Sequence, residues 1–180
     1  MLYQLSYSGM WADCIQLSCL VKKFFYTFSM ITILSVSDGH KHFIVPIEEY
    51  MKRTQKFLTL KQIKPISHTN PEYIKVKETL LIIEALKKFK GNIILLDERG
   101  RGINTRDFTD MIEDAKNESQ DIIFIIGGSY GVDLELMSEL HPKIIKISDF
   151  VMPHGLAFLV LIEQIYRANE ISKGSGYHHE

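Results

Sequence analysis

The sequence predicts an α/β fold in which a parallel sheet is covered by helices on both faces. From Met30 onward, short apolar runs alternate with segments that have the apolar spacing of helices. The run at residues 122–126 is apolar without interruption, which is typical of a strand buried on both faces. With 180 residues, of which 46% are hydrophobic, the chain is long enough for one domain with its own core.

Five strands and five helices are predicted in alternation. The strands are expected at residues 31–36, 56–66, 93–96, 122–126 and 143–147, and the helices at residues 41–55, 72–89, 107–116, 133–140 and 153–172. Pro71 is well placed in the first turn of the second helix, and Pro153 opens the last one. Asn104 or Thr105 is expected to cap the third helix.

Residues 1–29 differ from the rest of the chain, because they show neither a helical stripe nor a clean alternation. Asp13 interrupts the apolar stretch and Lys22 and Lys23 follow it, so the segment makes a poor signal peptide. We expect an N-terminal extension outside the domain, with Met30 as the true start and a single domain at residues 30–180.

Charge and cysteine content narrow the classes of function. The net charge of −1 gives no global electrostatic case for a nucleic-acid partner, although a local basic patch stays possible. Cys14 and Cys19 form neither a disulfide framework nor a zinc spacing. This cysteine usage favours a reducing compartment, so we expect a cytoplasmic protein without a bound metal or a membrane span.

Three loops that follow buried strands predict one pocket for a small molecule. They are the loop after Leu96, the glycine-rich turn at residues 127–131 and the loop at residues 147–152. In open α/β sheets, ligands bind just outside the carboxyl ends of the strands. We therefore expect the three loops to converge at one edge of the sheet.

Each loop also has an ordinary structural interpretation. Arg99 and Arg101 make residues 97–102 basic and flexible, which suits either phosphate contact or a solvated turn. The G-G-x-x-G pattern at residues 127–131 either lets backbone amides approach a ligand or forms a tight turn. Residues 147–152 form either a packed crossover or an apolar cup for a purine edge. A nucleoside triphosphatase is disfavoured because the chain lacks G-x-x-x-x-G-K-[ST].

The last helix and the tail favour an association of two copies. The helix is apolar nearly all round from Leu156 to Ile162, so we predict that a second copy buries it in a homodimer. Glu163 and Arg167 stand four residues apart and suit an ion pair. The tail, residues 174–180, is either a frayed terminus or a segment whose tyrosine and two histidines stack on an unpaired base.

Five motifs, in this order, resemble the RlmH family of ribosomal large-subunit pseudouridine methyltransferases, in the SPOUT superfamily. The motifs are LLDERG at residues 95–100, IIGGSYG at 125–131, MPH at 152–154, IEQIYRA at 162–168 and YHHE at 177–180. The resemblance implies a SPOUT-type α/β fold with a C-terminal trefoil knot and a homodimer. It also implies S-adenosylmethionine as methyl donor and N3 of a pseudouridine in 23S-type ribosomal RNA as acceptor, with the assembled ribosome as the expected substrate.

The resemblance also assigns residues to the site. The donor would be held by Leu96, Gly127, Gly128, Ile147, Ser148, Asp149, Phe150, Val151 and Met152. By the same resemblance, His154, Glu163, Arg167, Tyr177 and His178 would lie near the target nucleotide, with the tail supplied by the other subunit. Arg99 and Arg101 of the basic loop, and His179 of the tail, complete the expected substrate contacts. Two positions depart from the pattern, since many relatives have arginine where this chain has Phe158, and some have arginine or lysine in place of His179.

Methyl transfer to N3 of pseudouridine requires that this imide nitrogen lose its proton. His154 and His178 are the candidate bases. The alternative function is a catalytically inactive ribosome-binding or nucleotide-binding module with the same fold. Such a module would keep the dimer but would not bind S-adenosylmethionine.

Overall fold

The computed structural model describes residues 30–177, and it confirms a five-stranded parallel sheet flanked by helices. The strands are β1 (Ile31–Val36), β2 (Leu58–Ile63), β3 (Gly91–Gly102), β4 (Asp121–Ile126) and β5 (Lys143–Lys146). Their order across the sheet is β2-β1-β4-β3-β5, and every neighbouring pair is parallel. The carboxyl ends of β4, β3 and β5 therefore lie side by side.

Helices cover both faces of the sheet. They are α1 (Ile44–Thr54), α2 (Pro71–Leu86), α3 (Thr105–Asn117), the short α4 (Leu134–Met137) and α5 (His154–Ser172). The core residues of α1, α3 and α5 share one hydrophobic cluster, and those of α2 and α4 share another. The result is a three-layer sandwich with the sheet in the middle.

The alternation of side chains along β4 shows why the sheet needs both layers. Ile122, Phe124 and Ile126 face the cluster of α1, α3 and α5, whereas Ile123 and Ile125 face that of α2 and α4. Successive side chains of a strand point to opposite faces, so an unbroken apolar run can be buried completely only between two layers.

Two helix starts agree with their capping residues. The Asn70 side chain accepts hydrogen bonds from the backbone N–H groups of Glu72 and Tyr73, directly before α2. Asn104, rather than Thr105, caps α3 and accepts the N–H of Asp107 at 2.8 Å. These contacts satisfy backbone donors that the first helical turn leaves without partners.

The prediction of a flexible loop at residues 97–102 was wrong, because β3 runs on to Gly102. Leu96 and Arg101 both pair with Ile145 of β5, and the four residues between them bulge out of the ladder. Gly100 permits this, because a Cβ there would lie 2.6 Å from the backbone carbon of Ile145. The pairing with β5 thus carries the strand beyond its apolar part.

The remaining boundaries shift by a few residues, and two expectations stay untested. β2 is shorter than residues 56–66, and the predicted helix at 133–140 ends as a 3₁₀ turn, Ser138–Leu140. The N-terminal extension lies outside the described residues, and the trefoil knot stays a prediction. Within residues 30–177, no helix is long and apolar enough to cross a membrane.

Candidate functional site

A cavity of about 740 Å³ lies at the carboxyl ends of β4, β3 and β5. Its walls come from residues 96–99 of β3, where the strand bulges, from the loops that follow β4 and β5, and from the start of α5. The volume falls within the range that is usual for small-molecule sites. The loops meet because the three strands are neighbours in the sheet, although β4 and β5 are separated along the chain by α4.

The structure brings most of the predicted donor residues to this cavity. Those that line it are Leu96, Gly127, Gly128, Ile147, Ser148, Phe150, Val151 and Met152. Asp149 does not line it, because its carboxylate is exposed and accepts a hydrogen bond from Lys146 Nζ at 2.5 Å. That contact lowers the pKa of Asp149.

The glycine loop, residues 127–132, lines the cavity, and three of its six residues are glycines, which have only backbone to offer. Gly131 donates its N–H to the Gly128 carbonyl at 3.0 Å and has a φ of +71°, which favours glycine. A Cβ on Gly127 would lie 2.9 Å from Val132 Cγ1, and one on Gly128 would overlap Glu78 Oε2. The turn therefore depends on glycine for both space and conformation.

Arg99 lines the same cavity, but its guanidinium already has partners. Nε and one terminal nitrogen donate to the two oxygens of Asp97, each at 2.7 Å, and that terminal nitrogen also approaches the Val132 carbonyl at 3.3 Å. The hydrogen bonds from Arg99 lower the pKa of Asp97, and Asp97 raises that of Arg99. Arg99 thereby ties β3 to the glycine loop.

Arg101 is not at this cavity. It lines a separate depression of about 250 Å³ between the β3–β5 edge and α3, together with Lys143 and Asp107. The register shift in β3 separates Arg101 from Arg99, so only the first of the two predicted arginines reaches the cavity. Any contact of Arg101 with substrate would be on a different part of the surface.

His154 stands at the start of α5, lines the cavity and stacks against another histidine. The centroids of the His154 and His40 rings are 5.4 Å apart with an angle of 11° between the planes. On its other side, His40 stacks on Phe158 at 4.4 Å. Among residues 30–177, neither histidine has a hydrogen-bond partner for its buried Nε2.

Both imidazoles favour the neutral form. Burial lowers the pKa of His154 and the neighbouring His40 lowers it further, whereas a hydrogen bond with the Gly127 backbone acts in the opposite direction. Burial also lowers the pKa of His40, against the effect of Asp38. Sequence reasoning missed His40; its position just beyond the carboxyl end of β1 is the signal that could have drawn attention to it.

Three predicted substrate residues, Glu163, Arg167 and Tyr177, pack together with residues that were not predicted. We call the whole group the tail cluster: Tyr50, Arg53, Glu163, Tyr166, Arg167 and Tyr177. Arg167 donates to Glu163 at 2.6 Å and lies 4.9 Å from the centre of the Tyr177 ring. Tyr177 meets Tyr166 edge-on at 5.1 Å, and Arg53 lies over Tyr166 at 5.5 Å. His178 and His179 lie outside the described residues.

The tail cluster and the cavity are far apart in one chain. Arg167 follows His154 by 13 positions on the same helix, which corresponds to about 20 Å along its axis. Tyr177 packs on the helix of its own chain, not at its own cavity. A single subunit therefore does not bring all the predicted site residues together.

No group of three or more histidine, cysteine, aspartate or glutamate side chains within residues 30–177 could hold a metal ion. The cavity walls instead offer backbone from the glycine loop and apolar side chains from Leu96, Ile147 and Met152. This combination suits an organic ligand with a flat apolar part and several hydrogen-bonding groups.

The parallel sheet, with its ligand cavity at the strand ends, has a counterpart among known families. A family model described as "Predicted SPOUT methyltransferase" matches residues 30–178, so the chain belongs to the SPOUT methyltransferase family. This confirms the resemblance inferred from the five motifs. Membership in a family of methyltransferases implies that the protein uses a methyl donor.

Similar proteins in three bacteria carry the name "Ribosomal RNA large subunit methyltransferase H". The protein of Bacteroides fragilis is 35% identical over 147 residues, which cover 78% of this chain and 92% of that protein. That of Clostridium botulinum is 34% identical over 157 residues, covering 82% and 98%. The Bacteroides thetaiotaomicron protein is 33% identical over 147 residues, covering 78% and 92%.

Proposed function

We propose that this protein transfers a methyl group from S-adenosylmethionine to N3 of a pseudouridine in large-subunit ribosomal RNA. The observation that carries the proposal is the convergence of eight of the nine residues assigned to the donor on one cavity, in a chain of the SPOUT methyltransferase family. The names of its relatives supply the class of substrate.

The cavity fits the chemistry of the donor. The apolar side chains of Leu96, Ile147 and Met152 suit the faces of a purine, and the glycine loop offers backbone groups to its polar edges and to the ribose. Gly127 and Gly128 let a ligand approach the backbone closely because they carry no side chain. A Cβ at either position would instead collide with the protein itself, against Val132 or Glu78. When bound, S-adenosylmethionine supplies a methyl group that is already strongly electrophilic.

The protein must also handle a proton, because N3 of pseudouridine is protonated at neutral pH. His154 lines the cavity, and burial lowers its pKa, which favours the neutral imidazole that is able to accept that proton. Holding the acceptor nitrogen in line with the methyl group supplies much of the remaining rate. His178 stays the second candidate base.

The acceptor is best supplied by a ribosomal particle, in the cytoplasm. The net charge of −1 argues against a chain that binds free RNA through overall charge. The tail cluster provides local groups instead, since tyrosine rings and arginine planes are the usual stacking partners of unpaired bases. Contacts of this kind suit a particle whose surface presents the target nucleotide.

A homodimer would complete the site. In one chain the tail cluster lies about 20 Å from His154 along α5, so a second subunit must bring its own tail to the cavity. Large apolar side chains are exposed in the single chain, with Phe150 at 85%, Val151 at 86% and Val45 at 75%. Exposed apolar groups of this size mark surfaces that associate.

Calorimetric titration of S-adenosylmethionine into the full chain tests the donor site. We expect micromolar binding, weakened by about tenfold or more in Gly128→Ala, because the new methyl group would overlap the Glu78 carboxylate. The matched control is Gly102→Ala, where a Cβ would meet Lys146 Cε at an ordinary 3.5 Å. Its affinity should equal that of the wild type.

Absence of binding to the folded wild-type protein would overturn the proposal. The competing function, an inactive ribosome-binding or nucleotide-binding module, would then be the better account. Equal affinity in Gly128→Ala and Gly102→Ala would place the donor away from the glycine loop. Circular dichroism of each variant verifies that it is folded.

A further inference from the structure

Two consecutive residues of α2, Glu78 and Thr79, contact opposite ends of the glycine loop. Both are buried, at 2% and 0% exposure. Neither lines the cavity, and no feature of the sequence singled them out. They nevertheless connect the glycine loop to a helix of 16 residues.

Glu78 supports the beginning of the loop. Its Oε1 accepts the backbone N–H of Ile66 at 2.9 Å, which fixes the carboxylate. Its Oε2 has no hydrogen-bond partner among the described residues and lies directly against Gly128, where any Cβ would overlap it. A buried carboxylate oxygen without a partner is unfavourable and calls for an explanation. Its contact with the donor-binding loop supplies one.

Thr79 fixes the end of the loop. Its hydroxyl donates to the Lys75 carbonyl at 2.7 Å and accepts the backbone N–H of Asp133 at 2.9 Å. Asp133 in turn caps α4 by accepting the N–H groups of Glu135 and Leu136. Asp133, which directly follows the glycine loop, is therefore held by Thr79 through its backbone and by the start of α4 through its side chain.

Between these two anchors, the loop is closed by the hydrogen bond from Gly131 to Gly128. We propose that Glu78 and Thr79 are positioning residues, which hold the glycine loop in the conformation that binds the methyl donor. The inference rests on the proposed function for the identity of that ligand. The contacts with the loop are independent of it.

Thr79→Val provides the first test, because it keeps the shape of the side chain and removes the hydroxyl. The matched control is Thr109→Val in α3, a buried threonine that also donates to the carbonyl four residues earlier, at 2.8 Å, but contacts no part of the loop. We expect Thr79→Val to weaken donor binding by about fivefold to tenfold, the effect of one lost hydrogen bond. Thr109→Val should leave the affinity unchanged, and Thr79→Ser should restore it.

Glu78 is tested by a conservative and a disruptive substitution. Glu78→Gln keeps the volume and an acceptor for the Ile66 N–H, so we expect its donor affinity to stay within about threefold of the wild type. Glu78→Ala removes both the acceptor and the support beneath Gly128, so the loss should exceed that of Thr79→Val. Steady-state kinetics with donor should show these losses in KM more than in kcat.

Amide hydrogen exchange of residues 127–133 supplies a readout that does not depend on the donor. We expect faster exchange in Thr79→Val than in Thr109→Val, because the loop loses an anchor only in the first. Failure of the wild type to bind the donor would contradict the proposed function. In that case, amide hydrogen exchange by itself would show whether Glu78 and Thr79 hold the loop in place. Wild-type exchange in both folded Thr79→Val and folded Glu78→Ala would overturn the inference.

Discussion

Phe158 stands at a position where, according to the family resemblance, many relatives have arginine. Here the side chain is fully buried and its ring stacks on His40, which in turn stacks on His154. The column of three rings fixes the start of α5 from inside the core. The apolar ring therefore has a packing role that the pattern of motifs did not reveal.

Phe158→Ala should destabilise the protein by about 3–5 kcal/mol, the usual effect of emptying a buried aromatic site. Guanidinium-induced unfolding measures the difference. Ile44→Ala is the control, because Ile44 is 48% exposed in the first turn of α1 and its loss should change the free energy of unfolding by about 0.5 kcal/mol or less. Equal losses in the two variants would contradict the observed packing.

The two histidines predict how stability depends on pH. Burial lowers the pKa of both from 6.5, so below that pH the unfolded chain binds more protons than the folded protein. The free energy of unfolding should be fully retained above about pH 6.5 and should decrease as the pH falls through the lowered pKa values. This window lies above that of carboxyl groups, whose ordinary pKa values are about 4.

His40→Leu should make the decrease between pH 7.5 and 5.5 shallower, because it removes one of the two groups that take up a proton on unfolding. Urea unfolding at several pH values measures the slope. His42→Gln, which removes an exposed histidine of the same loop, is the control for loss of an imidazole from this part of the chain. A wild-type slope in His40→Leu would show that this imidazole does not contribute.

At the scale of elements, the sequence predicts what is local. The apolar runs locate β1 and β4 to within a residue, and the glycines after β4 mark a loop that needs them. The extension of β3 could not be predicted, because it depends on pairing with β5, some 45 positions later. The contacts of Glu78 and Thr79 with the glycine loop could not be predicted either, because they depend on how α2 packs against that loop.

Gly100→Ala tests the extension of β3. A Cβ at Gly100 would lie 2.6–2.8 Å from the backbone of Ile144 and Ile145, so β3 and β5 would have to separate. We expect a loss of about 1–3 kcal/mol in the free energy of unfolding, as is usual for overpacking. Gly102→Ala, in the same strand, serves as control because a Cβ fits there. Similar stabilities would argue against the close pairing.

At the scale of the whole molecule, the order of the strands creates the site. Placing β3 between β4 and β5 brings three loops together that are separated along the chain, and the sequence indicates the loops but not this order. The same fold leaves the tail cluster at the far end of α5. The proposed function therefore requires that two subunits together form one complete site.

Mixing two impaired variants tests this shared site. Gly128→Ala weakens donor binding in the cavity and Arg167→Gln impairs the tail cluster, so each homodimer should have strongly reduced activity at a donor concentration near the wild-type dissociation constant. Random exchange of subunits would give heterodimers with one intact site, and about a quarter of the wild-type activity should return. Light scattering should show a dimer throughout. No recovery in verified mixed dimers would mean that cavity and tail act within one chain.

The most direct test of the proposed function is methyl transfer to ribosomes. Large subunits and whole ribosomes from cells that lack this protein would be incubated with it and with isotopically labelled S-adenosylmethionine, and the digested RNA would be analysed by mass spectrometry. The proposed function predicts label in a single nucleotide of the large-subunit RNA, as N3-methylpseudouridine, and much less label with Gly128→Ala at a donor concentration near the wild-type dissociation constant. Label in another nucleotide would contradict the assigned acceptor. No label at all, from a folded protein on either particle, would contradict the methyltransferase itself.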